Sequence, residues 1–122
     1  MCLSKITKRY DKPDQKERVG WKCVNLSKGK RTFRGWIWDD ETYRKTNVWL
    51  RSNNVDVFYS GGRYKSGFHI FTTKRDAKIL DPYSDVVKVK YRNKIVDGEQ
   101  ACHSTDLISL KCVVAKEMKV IV

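Results

Sequence analysis

The sequence predicts a single α+β domain, a twisted and largely antiparallel sheet with one or two short helices on one face. Three observations predict it. Apolar and polar residues alternate with a period of two in several short runs, most clearly in residues 85–92, DVVKVKYR. Gly, Asn and Ser clusters separate such runs, as in NLSKGKRT and YSGGRY. Helix-start chemistry occurs at two places, the DDE of residues 39–41 and the TTKRD of residues 72–76. A chain of 122 residues with 40% hydrophobic content is long enough to bury one core and too short for two, so residues 1–122 are read as one domain.

In residues 1–18 charged and polar groups surround Ile6 and Tyr10, and Pro13 breaks any helix. The segment reads as an ordered arm or a short edge strand. Residues 19–24, VGWKCV, place Trp21 and Cys23 on one side of an extended run and Lys22 and Val24 on the other. A turn centred on Gly29 leads to a second run, residues 32–38, and the two form a hairpin. On the second run Arg34, Trp36 and Trp38 share a face, which is either half of the core or an exposed stacking platform. Asp39, Asp40 and Glu41 open a short helix over residues 41–45, because carboxylates satisfy the N–H groups at a helix start. Trp49 and Leu50 then dock the chain on the core.

Residues 55–59, VDVFY, form a third strand, and Ser60-Gly61-Gly62 turns the chain with positive φ available. Residues 67–71 are extended, with Phe68 and Ile70 facing one way and His69 and Phe71 the other. Thr72 or Thr73 caps a helix, with Asp76 in the place of the usual Glu of a capping box. Asp81-Pro82 stops it, Ala77 and Leu80 face the sheet, and Lys74, Arg75 and Lys78 decorate it. In residues 85–92 Val87, Val89 and Tyr91 face inward while Lys88, Lys90 and Arg92 face outward, with Lys94 continuing the basic row. Residues 97–106 read as a linker. Residues 107–122 supply a long final strand or a bent pair, with a change of phase near residues 115–117.

The formal net charge is +12, and the excess is spread over both halves of the chain, so the basic surface belongs to the fold and not to a tail. Such a field attracts nucleic acid, a nucleotide or an acidic protein. A charged content of 33% leaves no apolar run long enough for a membrane span. The start, MCLSKITKRY, has no apolar leader, which reads as a cytoplasmic protein. Cys2, Cys23, Cys102 and Cys112 contain no C-x-x-C, and only Cys102-His103 with Cys112 approaches a zinc set, so no metal is expected. The thiols are read as reduced, two of them buried on strands. Were Met1 removed, Cys2 would carry the thiol and amine of an N-terminal nucleophile. His69 is either a hydrogen-bonded structural residue or a residue lining a site.

The order YKSGFHIF, a short Ala-containing helix, VVKVKYRNKIVDG and VVAKEMKVI resembles a set of small proteins from bacteriophages and mobile elements, many of which also begin Met-Cys-Leu. That resemblance covers about half the chain and implies a phage accessory protein acting in the host cell against a defence system such as CRISPR. A looser resemblance is to the ADP-ribosyltransferase fold, with Phe71-Thr72-Thr73 as its middle motif. It implies an enzyme using NAD, with Tyr64 and His69 near the nucleotide and Glu117 as the catalytic acid. The residues expected to hold a polyanion are Arg34, Trp36, Arg63, Tyr64, Lys65, Lys74, Arg75, Lys88, Lys90 and Arg92, with no cofactor. Inhibition of an acidic host protein, anchored by exposed tryptophans, is the remaining alternative.

Overall fold

The computed structural model describes residues 3–27, 30–33, 42–43, 47–59, 61–80, 85–101 and 108–121, and their side chains outside 25–33 and 42–43. In chain order the elements are β1 (Lys5–Asp14), β2 (Arg18–Ser27), β3 (Lys30–Phe33), β4 (Thr42–Tyr43), β5 (Leu50–Arg51), β6 (Asp56–Tyr59), β7 (Gly62–Lys65), β8 (Phe68–Phe71), α1 (Lys74–Leu80), β9 (Asp85–Ala101) and β10 (Ser109–Val120). The described chain is therefore mostly antiparallel sheet with one short helix. It is mainly β, and it meets the expected α+β class only in that helix.

The strands pair in the order β1-β9-β10-β8-β2-β3-β4, with β9 also bonded to β2 and β5 to β10, while β6 and β7 form a separate hairpin. The links β9–β10, β10–β8, β8–β2 and β2–β9 make a closed circuit, so the sheet curls into a small barrel. Val24, Phe68, Ile70, Val89, Tyr91, Val113, Ala115, Met118 and Val120 cluster on its inner face. On the outer face Cys23, Phe71, Val96, Cys112 and Val114 pack with Leu3, Ala77 of α1 and Val57 and Tyr64 of the β6–β7 hairpin. Close packing leaves no room at Gly20, where a methyl group would meet Ile70, the Phe71 carbonyl oxygen at 2.9 Å and the Tyr91 ring at 3.1 Å.

The expected alternation on β2 holds: Trp21 and Cys23 pack with the outer cluster, and Val24 with the inner one. Its hairpin with β3 also forms, from Val24↔Phe33 to Ser27↔Lys30. Lys22 is not at the surface, being 1% exposed, and its Nζ donates to the His69 carbonyl oxygen at 3.0 Å. Cys23 and Cys112 are the two buried thiols on strands that were expected, and Cys23 Sγ donates to the Ala77 carbonyl oxygen at 3.2 Å. Residues 42–43 extend as β4 and pair with β3, where a helix over 41–45 was expected. β-branched Thr42 and aromatic Tyr43 suit a strand better than a helix, and a neighbouring edge was available.

β1 is a ten-residue edge strand, and Pro13 is tolerated there because an edge strand has one side without a ladder. β9 runs for 17 residues, so the linker expected from residue 97 is strand as far as Ala101. Along one edge β9 holds β2 from Asp85 to Tyr91, then β1 from Lys94 to Glu99. Between the two lies Asn93 at φ 58, and the β9–β10 register slips by one residue between Val114↔Val96 and Ala115↔Lys94. Such a bulge turns the strand. Buried positions pass from 89 and 91 to 94, 96, 98 and 100, so Lys94 does not continue the basic row: it is 8% exposed. On β10 the expected change of phase is present, since Ala115 and Met118 both face the inner cluster.

α1 starts as the sequence predicts, with Thr73 Oγ1 accepting from the Asp76 N–H at 3.1 Å. Gly62, at φ 139, makes the tight turn between β6 and β7. Among the described residues no helix is long and apolar enough to cross a membrane.

Candidate functional site

Upstream of the bulge the even residues of β9 face outward, beside Trp21 and Cys23 of β2. Lys88 stands opposite Trp21, Lys90 opposite Val19, and on the other edge Lys90 is opposite Lys119 and Arg92 opposite Glu117. Directly opposed residues on antiparallel strands bring their Cβ atoms to about 5 Å, where like charges repel. Lys88, Lys90 and Lys119 form a compact field of positive charge to which no carboxylate among the described residues is paired, and Glu117 meets Arg92 at its border.

Its lower border is more ordered. The Arg92 guanidinium lies over the Trp49 ring at 3.9 Å, and Lys119 Nζ stands 4.9 Å from the same ring. The Glu117 carboxylate accepts from Arg92 Nε, from Arg51 at 2.9 Å and from Asn93 Nδ2 at 3.1 Å. The hydrogen bonds from Arg92 and then Arg51 hold its pKa below the usual carboxylate value. One acid thus sits against two arginines, and this border stays net positive. The other border is α1, which exposes Lys74, Arg75 and Lys78 and buries Ala77.

The structure divides the remaining expected residues. Arg34 and Trp36 lie outside the described residues, as do Cys2, Cys102 and His103. Arg63 and Lys65 are exposed on β7, and both pair with Asp56, at 3.7 and 2.9 Å. Those cations, the nearer Lys65 first, hold the Asp56 carboxyl below its usual value. Tyr64 points the other way and is 3% exposed, so it belongs to the core and not to a stacking surface. The strand alternates, and Arg63 and Lys65 cannot share a face with Tyr64.

The residues implied by the ADP-ribosyltransferase resemblance are likewise placed. The Leu3 N–H donates to Tyr64 Oη at 3.0 Å, and Tyr64 Oη lies 2.9 Å from His69 Nε2. The phenol accepts from Leu3 and shares a second hydrogen bond with Nε2, whose direction follows the tautomer of the imidazole. Burial, and then the charge of Lys22, push the His69 pKa down to about 3. His69 is 1% exposed, and both residues serve to fasten Leu3 to the core. Glu117 is occupied by its two arginines.

No protein-family model, curated protein or solved structure matches the chain. The assignment of a function therefore rests on the surface itself. The sequence pattern named Lys88, Lys90 and Arg92 of this face but not Lys119, Arg51 or Trp49. Lys119 was available from the alternation at the end of β10, in KEMKV. Arg51 and Trp49 carried no comparable signal, because a two-residue strand has no measurable period.

A cleft of about 250 Å³ also opens where Thr7, Asp97, Glu99 and Lys111 come together. Asp97 there is already engaged, accepting from the Tyr10 hydroxyl at 2.6 Å and pairing with Lys94 at 3.1 Å. Both signs of charge line it, which gives it no preference for a polyanion.

Proposed function

We propose that the chain binds nucleic acid through the outer face of β9 and β10, with Lys88, Lys90, Arg92 and Lys119 meeting phosphates and Arg51 and Trp49 bounding the surface. The observation that carries this reading is the direct opposition of Lys90 and Lys119, flanked by Lys88 and Arg92. A folded chain that holds like charges at this spacing, with no carboxylate among the described residues paired to Lys90 or Lys119, gains stability when an external polyanion neutralises them. In the setting implied by the resemblance to phage accessory proteins, binding takes place in the host cytoplasm and obstructs a nucleic-acid-guided defence.

The test is titration of labelled single-stranded and duplex oligonucleotides at several salt concentrations. Four phosphate contacts correspond to a log–log salt slope of roughly −3 to −4. Lys88→Glu with Lys90→Glu should remove binding while leaving the fold intact, since both side chains face outward. Binding that is absent, or that persists unchanged in the double variant, refutes the proposal.

A further inference from the structure

The β6–β7 hairpin stands apart from the barrel sheet and has two unlike faces. Val57 and Tyr64, a cross-strand pair, are 2% and 3% exposed and anchor it to the core, with Tyr59 beside them. The opposite face carries Asp56, Phe58, Arg63 and Lys65, with Phe58 opposite Arg63 and Asp56 opposite Lys65. Phe58 is 71% exposed, the most exposed of the large hydrophobic residues described. Nothing in the inner packing requires an aromatic ring at that position, because the buried residues of both strands already anchor the ribbon.

The surroundings of that ring are cationic. Arg63 and Lys65 share the single carboxylate of Asp56, which leaves one positive charge in excess on the face. The Asp56–Arg63 contact, at 3.7 Å, is long enough for a phosphate to compete for the guanidinium. Arg9 reaches the opposite, anchoring face of the hairpin from β1, its Nη2 donating to Tyr59 Oη at 3.4 Å, and so leaves the surroundings of Phe58 to Arg63 and Lys65. An exposed aromatic ring beside cations on a two-stranded ribbon offers a stacking surface for a base and donors for the adjacent phosphates. Duplex DNA hides its base faces and has no use for such a ring. A strand with unpaired bases does.

We infer that the outward face of the β6–β7 hairpin is a single-strand binding site, with Phe58 stacking on an unpaired base and Arg63 and Lys65 holding the adjacent phosphates. The inference rests on the nucleic-acid reading of the chain and names the form of nucleic acid it selects. Stacking on one aromatic residue contributes about 1–3 kcal/mol per base, or roughly five- to 150-fold in affinity.

The experiment compares a labelled oligo-dT, a duplex of equal length and heparin, a polyanion without bases, at one fixed salt concentration. Phe58→Ala should weaken oligo-dT at least fivefold and leave duplex and heparin unchanged, and Phe58→Trp should restore it. Arg63→Gln should weaken all three and lower the salt slope by about one. Equal affinity of wild type and Phe58→Ala for oligo-dT overturns the inference, and so does an equal loss for all three ligands. If the Lys88→Glu/Lys90→Glu variant loses every ligand while Phe58→Ala loses none, the basic face stands and the hairpin assignment alone falls. Nucleic acid that never binds wild type removes both. A Phe58→Ala variant that keeps all nucleic-acid binding but loses capture of an acidic protein makes the hairpin a protein-docking ribbon instead.

Discussion

Protonation of His69 should be a main cause of acid sensitivity in this fold. The imidazole stays neutral in the folded chain down to about pH 3, because burial and the Lys22 charge both oppose a second proton. In the unfolded chain it takes up that proton near its ordinary value of 6.5. Unfolding therefore binds a proton at any pH between the two, and stability is full above 6.5 and falls as the pH drops from 6.5 toward 3. At 1.36 kcal/mol per pH unit for one proton, the loss between pH 7 and pH 5 amounts to about 2 kcal/mol. Most carboxylates titrate below that window, so it isolates the histidine. The assay is urea denaturation at pH 7, 6 and 5 for wild type and His69→Gln, which keeps a hydrogen-bonding group for the Tyr64 hydroxyl. Wild type should lose stability with falling pH about 2 kcal/mol more than the variant does. Parallel curves, or an imidazole found by NMR to titrate near 6.5 in the folded protein, refute the reasoning.

Two further substitutions probe other parts of the structure. Glu117→Gln removes the acid shared by Arg51 and Arg92, which should cost about 1–3 kcal/mol in thermal or chemical denaturation. It should also strengthen oligonucleotide binding by exposing one more positive charge, and a binding loss would contradict the placement of Glu117 as a neutralising border. Gly20→Ala puts a methyl group against Ile70 and the Phe71 carbonyl oxygen inside the barrel. It should destabilise by about 1–3 kcal/mol with unchanged strand content in circular dichroism, and a neutral result would mean that β2 and β8 are not packed as described.

The parts of the fold that were legible in the sequence are those whose signal is local. The alternation in DVVKVKYR, the Thr73 cap and the Gly62 turn each depend on a few neighbouring residues, and all three are in the structure. The irregularity of β9 was not legible: Asn93 takes φ 58 where the strand passes from β2 to β1, and the slip against β10 falls between Lys94 and Val96. Lys94 ends up buried, and the strand runs on through residues that read as a linker. Tyr64 failed for a different reason: in GRYK it alternates with two exposed cations, and only the presence of His69 and Leu3 above it decides that the ring is the buried member. Lys22 illustrates the same limit. The alternation put Lys22 on the face of Val24, and only the closed circuit of strands shows that this face buries it.

The closed circuit also governs how the chain reaches this structure. β1 and β2 find their partner in β9, with Lys5 against Glu99 and Arg18 against Tyr91. Neither N-terminal strand can complete its ladder on a ribosome until β9 has emerged, and contacts of such high sequence separation place folding on the slow, millisecond-to-second side of small domains. During that wait the apolar side of β2 has no cover, which makes Val24 and its neighbours the surface most exposed to aggregation or chaperone capture. Repeated lysines and arginines across β1 and β2 keep nascent copies of the chain apart while they wait.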